Sequence, residues 1–138
     1  MKKVYFACSV RGGRDDKHIY QEIVSLLRSV SVVTTEFNID KDLTPKGTPG
    51  ATGKTYKRDM EMLRSSDVIV AEVTTPSLGV GYEISKAEEM NMPILCLFRP
   101  SSGISLSAMV AGNPNVKVIK YEKVKELEKP IKNFIASI

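Results

Sequence analysis

The sequence has no tryptophan, a single histidine (His18) and two cysteines (Cys8 and Cys96), and only 7% of its residues are aromatic. Each shortage excludes something. With one histidine, no His/Cys/Asp cluster has the spacing of metal ligands, so no metal site is expected. His18 falls in the first helix and reads as a surface residue. Both cysteines sit in apolar runs that resemble buried strands. They are expected to be free core thiols of a cytoplasmic protein rather than a disulfide. Few aromatics outside the core argue against a stacking platform for single-stranded nucleic acid.

Long hydrophobic runs are also missing. The first apolar segment, Val4 to Val10, is too short to span a bilayer. The charged loop Arg11-Gly12-Gly13-Arg14 follows where a cleavage site would be needed, so neither a signal peptide nor a membrane contact is expected. The net charge of +4 is not concentrated. Lys117, Lys120, Lys123, Lys125, Lys129 and Lys132 alternate with apolar and acidic residues, which reads as a solvated face and not a nucleic-acid patch. The first loop, Ser9 to Arg14, is neither G-x-G-x-x-G nor a Walker A loop, having no G-K-[ST], and no G-x-S-x-G nucleophile elbow occurs in the chain.

What is present is an alternation. The 138 residues are 42% hydrophobic and 26% charged, which fits one globular domain with one core, spanning 1–138. Strands are expected at 3–9, 31–35, 67–73, 93–98 and 116–121. Helices are expected from Asp15 or Asp16 to Val30, over 54–66, 80–91 and 104–111, and over roughly 124–136. Pro130 should lie in the first turn of the last helix or kink it. The segment 36–53 is polar and holds Pro45, Gly47, Pro49, Gly50 and Gly53. Structureless segments of that length are commonly lids or binding loops. Five strands with crossover helices predict an α/β, doubly wound, five-stranded parallel sheet, a Rossmann-like or flavodoxin-like three-layer sandwich. In such sheets ligands bind beyond the carboxyl ends of the strands. The loops 9–14, 36–53, 74–79 and 99–103 should gather there.

Two of these loops carry chemistry. Ser9-Val10-Arg11-Gly12-Gly13-Arg14 offers a hydroxyl, two guanidinium groups and flexible backbone amides, a set that suits one phosphate. Taken alone, an ordinary turn with surface arginines explains it equally well. The stretch A-E-V-T-T-P-S-L-G-V-G-Y-E (71–83) leaves a strand, turns at Pro76, and passes Ser77, Gly79 and Gly81 before reaching Glu83. Its strand, turn and helix-start order lets backbone N–H groups approach an anion. Glu83 is expected in the first helical turn, where the dipole favours the ionised form. Plain charge complementarity would also put an acid there. Asp59 lies mid-helix beside an inward stripe, where aspartate has poor propensity. It could equally be a solvent-facing residue paired one turn away. Tyr5 reads first as a core aromatic. Two carboxylates from different helices would permit glycosidic chemistry.

Y-F-A-C-S-V-R-G-G-R (5–14), D-M-E-M-L (59–63), D-V-I-V-A-E-V-T-T-P-S-L-G-V-G-Y-E (67–83), I-L-C-L-F-R-P (94–100) and L-S-A-M (106–109) together resemble the 2′-deoxynucleoside 5′-phosphate N-hydrolases of the nucleoside 2-deoxyribosyltransferase superfamily. The resemblance implies a dimer that cleaves nucleoside 5′-monophosphates to free base and sugar 5-phosphate without metal or cofactor. It makes Glu83 the nucleophile on the anomeric carbon, with Asp59 assisting the leaving base or orienting water and sugar. It makes Tyr5 the hydrogen-bond partner of the glutamate. It assigns the 5′-phosphate to Ser9, Arg11, Gly12, Ser77 and Gly79, with Ser107 supplied by the neighbouring subunit. Cys8 stands where the family pattern has glycine, and Phe37 where it has histidine. The difference at Phe37, with loop 36–53, leaves base preference open. Two other functions are compatible with the same residues: a base-exchanging nucleoside deoxyribosyltransferase and a non-enzymatic nucleotide-sensing module. The S-V-R-G-G-R loop favours the hydrolase, because a transferase of unphosphorylated nucleosides needs no phosphate cradle.

Overall fold

The structure is a computed structural model and describes residues 1–10, 13–35 and 53–138. Arg11, Gly12 and nearly all of the expected loop 36–53 lie outside the described residues. Five strands form one parallel sheet: β1 (Lys3–Ala7), β2 (Val32–Val33), β3 (Val68–Glu72), β4 (Ile94–Phe98) and β5 (Val116–Lys120). Their order is β2-β1-β3-β4-β5. The helices are α1 (Gly13–Val30), α2 (Gly53–Arg64), α3 (Leu78–Glu89), α4 (Ala108–Ala111) and α5 (Glu128–Ala136). The doubly wound α/β fold expected from the alternation is the one found, in its flavodoxin-like strand order.

The period of two along each strand divides the core into two halves. Val4, Phe6, Val68, Val70, Leu95 and Leu97 face α1 and α5, where they meet Tyr20, Ile23, Leu27, Ile131 and Phe134. Tyr5, Ala7, Ile69, Ala71, Ile94 and Cys96 face the other way, onto Met60 and Leu63 of α2 and Val80, Ile84 and Ala87 of α3. Both faces are therefore covered, and every residue of β3 and β4 is buried. This explains why those strands read as continuous apolar runs. Cys8 and Cys96 are free and buried. Burial pushes the Cys96 thiol up to about 12 and Cys8 higher still, so neither is poised as a nucleophile.

Three local differences from the sequence expectations have physical causes. The second strand is only two residues long. Beyond it the Thr35 hydroxyl replaces backbone pairing, accepting from Phe6 N–H at 2.8 Å and donating to Phe6 C=O at 3.0 Å. The third helix starts earlier than expected, because the Ser77 side chain caps it by accepting from Val80 N–H at 3.3 Å. The last helix is preceded by a 3₁₀ turn at Val124–Leu127, and Pro130 is its third residue. A first-turn proline leaves no intrahelical bond unmade.

In the sheet order, the direction of winding reverses between β1 and β3. Their carboxyl ends lie side by side, with Ala7 opposite Ala71. That crevice is the switch point at which ligands of such folds bind.

Candidate active site

Tyr5 is fixed first. It lies mid-strand in β1, 2% exposed, on the face covered by α2 and α3. Its ring is held by the core, and its hydroxyl reaches the edge of the crevice. There it donates a hydrogen bond to Glu83 Oε2. Because the helix begins at Leu78, Glu83 is its sixth residue. The expected first-turn position is therefore corrected to the second turn, where the helix-end field has faded. Burial takes its place as the main influence. It pushes the Glu83 carboxyl up from 4.5 to about 7, while the Tyr5 hydrogen bond pulls it down and the Asp59 charge pushes it up. The Tyr5 phenol is held well above its ordinary value by burial and then by Glu83, so it remains a donor.

Asp59 comes from α2 and lines the same cleft as Tyr5 and Glu83. Its carboxylate takes a 3.1 Å contact from Nε of the adjacent Arg58, not from a residue one turn away. Thr35, Thr55 and Arg58 complete the polar part of the cleft, and Phe6, Ala7 and Val10 its apolar part. Two carboxylates from two helices and one phenol donor thus meet over the carboxyl end of β1. Such a set can attack an electron-poor carbon and manage the proton of a leaving group.

The residues expected to hold phosphate are distributed differently. Ser9 follows β1 and is 1% exposed. Arg11 and Gly12 lie outside the described residues. Ser77 lines a second cleft on the far side of the first turn of α3, together with Pro76, Leu78, Gly81 and Ser107. Gly79 is exposed in that turn, and a Cβ there would lie 3.9 Å from Ser77 Oγ. At Gly81 a Cβ would meet nothing within 4 Å. The chain's own packing thus requires glycine at neither position.

Sequence reasoning overlooked a third cluster. Glu72, the last residue of β3, is fully buried and points to the α1/α5 side. Its Oε1 accepts from Thr74 N–H at 2.7 Å. Its Oε2 accepts from Arg99 Nη1 at 3.1 Å and from the Tyr121 hydroxyl. Arg99 Nη1 also reaches Tyr121 Oη at 3.1 Å, and its Nη2 meets Asp16 Oδ1 at 2.8 Å. Burial, then the Glu72 charge, hold the Tyr121 phenol above its ordinary value. A signal was available: an acid inside V-I-V-A-E-V and an arginine directly after I-L-C-L-F, both at buried strand ends. Buried charges need partners.

The model of the nucleoside 2-deoxyribosyltransferase family matches residues 4–117. A relative from Tetraodon nigroviridis, a 5-hydroxymethyl-dUMP N-hydrolase, is 45% identical over 139 residues, 98% of each chain. The mouse protein of the same name is 53% identical over 111 residues, which are 79% of this chain and 64% of the mouse one. Among solved structures, the CMP N-glycosidase of Clostridium botulinum superposes with a TM-score of 0.65 at 23% identity, covering 96% of this chain and 99% of its own, and so shares the fold. By the family model and by these identities, this chain is a member of the nucleoside 2-deoxyribosyltransferase family.

Proposed function

We infer that this chain hydrolyses the N-glycosidic bond of 2′-deoxynucleoside 5′-monophosphates, releasing free base and 2-deoxyribose 5-phosphate. The observation that carries it is the Tyr5–Glu83–Asp59 cluster at the β1/β3 switch point. The names of the relatives agree with that chemistry. Glu83 attacks the anomeric carbon, forming a C–O bond as the C–N bond to the base breaks. Asp59 assists departure of the base and then orients a water. The water opens the glycosyl ester and returns Glu83 as a carboxylate. Tyr5 donates to the carboxylate form, which the attack requires.

The 5′-phosphate is assigned to Ser9, Arg11, Gly12, Ser77 and Gly79. The open space around Gly79 and Gly81 favours close approach from outside the protomer. A second copy of the chain completes the pocket with its own Ser107. Leu78 and Met109, 97% and 85% exposed beside Ser77 and Ser107, offer apolar surface for that contact. Two buried free thiols suit a reducing compartment, in keeping with a cytoplasmic location.

The test is a panel of ribo- and 2′-deoxynucleoside 5′-monophosphates with their free nucleosides, measuring free base. Deoxy monophosphates should be hydrolysed and nucleosides spared. Equal use of both, or base exchange faster than sugar-phosphate release, would refute the assignment. For the shared site, mixing Glu83→Ala with Ser107→Ala subunits should restore about a quarter of wild-type activity, since random pairing leaves one complete site in half of the dimers. No recovery on mixing would sink the dimeric pocket.

A further inference from the structure

We propose that Arg99 is a positioning residue of the active site: anchored by Glu72 and Tyr121, it holds Asp16 and so locks the start of α1 against the turn that carries Ser77 and Gly79. This rests on the function inferred above, and concerns how the two phosphate-side segments are kept in register.

The geometry is that of a tether with three attachments. At one end Arg99 Nη1 is fixed by Glu72 at 3.1 Å and Tyr121 at 3.1 Å, the ends of β3 and β5. In the middle, Arg99 N–H donates to Thr74 Oγ1 at 3.0 Å, and Thr74 N–H donates to Glu72 at 2.7 Å. The beginning of the 74–79 turn is thereby bound to the same pair. At the other end Arg99 Nη2 holds Asp16 Oδ1 at 2.8 Å, and Asp16 Oδ2 lies 3.4 Å from the Thr75 hydroxyl. Asp16 is in the first turn of α1, just past the 9–14 loop.

Arg99 is not itself a phosphate ligand. It is 8% exposed, and both of its terminal nitrogens are committed to protein oxygens. Nor does Asp16 make sense as a bystander. A carboxylate one turn from a loop meant for an anion opposes binding by simple Coulomb repulsion. Its tie to Arg99 and Thr75 gives it a reason to be there. Arginine is required because one planar fork serves two directions, which a lysine ammonium does not reproduce.

Two conservative variants test this, assayed with whichever of dUMP, dCMP, dAMP and dGMP the wild-type protein hydrolyses fastest. In Asp16→Asn one acceptor is lost without loss of volume. The Michaelis constant for the monophosphate should rise about tenfold while kcat stays within about twofold, because a misplaced phosphate grip costs binding in the ground and transition states alike. Arg99→Lys should show the same split. An Asp16 that acts only as a nearby negative charge predicts the opposite sign, a lower KM. Unchanged or lowered KM in folded Asp16→Asn, or a fall in kcat alone, overturns the proposal. Thermal melting checks folding. Asp16 is at the rim of the cluster, so its variant decides the matter even if Arg99→Lys does not fold. Absence of turnover in the wild-type protein would instead refute the inferred function, leaving the two failures distinct.

Discussion

Two glutamates eleven residues apart make an instructive pair. Glu72 ends β3 and Glu83 lies in the helix that follows, and each accepts a hydrogen bond from a buried tyrosine. They sit at the same edge of the sheet, one on the side covered by α1 and α5, the other on the side covered by α2 and α3. Beyond the phenol their surroundings diverge. Glu72 gains an arginine and a backbone N–H. Glu83 gains a second carboxylate, whose charge opposes its ionisation. The first is saturated and holds structure together. The second is left in need of a partner, as a group kept for reaction is expected to be.

The contrast is broken most severely by swapping each acid for its amide. Glu83→Gln should lower turnover by at least about 10³-fold, the scale on which loss of a covalent nucleophile is felt. It should not lower stability. Holding Glu83 near 7 instead of 4.5 costs the fold up to about 3 kcal/mol once the group is ionised. A raised carboxyl contributes fully below about pH 4.5, and its contribution is lost as pH rises through 7. The gain from Glu83→Gln should therefore be complete above pH 7 and vanish below about pH 4.5, in denaturant melts across that range. Glu72→Gln should do the reverse. It leaves Arg99 buried against one carboxylate fewer and should cost about 3 kcal/mol, the lower end for a broken buried pair, since Asp16 remains. Equal stability losses from both amides would abolish the distinction.

A smaller effect sharpens it. The acid limb of kcat/KM should fall near pH 7, where Glu83 loses its charge. Tyr5→Phe removes a donor to the carboxylate and should move that limb up. Asp59→Asn removes a repelling charge and should move it down. The second ionisation of the substrate's phosphate, near about pH 6, is common to all three proteins and does not account for opposite shifts. Shifts of the same sign in the two variants would mean that another group controls the limb.

Much of this was visible in the chain before folding. The alternation of apolar runs with 3.6-periodic segments yields the sheet and its helices, since both signals come from local burial. Glu83 and Asp59 could be named as two carboxylates from different helices and Tyr5 only through the family resemblance, and the fold gathers all three at one cleft. The second turn of α3 reads as the first because the sequence places Gly79 in the loop and starts the helix at Val80, two residues after its true start. Glycine disfavours helix by about 1 kcal/mol relative to alanine, yet the Ser77 cap and the buried face of Val80, Ile84 and Ala87 override it. For Glu72 and Arg99 the sequence signals buried charges in need of partners, but not which partners they take. The pairings of Arg99 with Glu72 and Asp16 span 27 and 83 positions, and no local pattern encodes a contact of that range.

The hydroxyl of Thr35 has one further consequence. An open strand edge invites another chain to pair with it. Past Val33, the outer edge of β1 would be such an edge, and a longer β2 would close it only by running into the cleft that Phe6, Ala7 and Thr35 line. By capping both backbone polar groups of Phe6, one small side chain quenches that part of the edge. The central strands can thus stop pairing at the cleft without offering unpaired Phe6 backbone to a strand from another molecule.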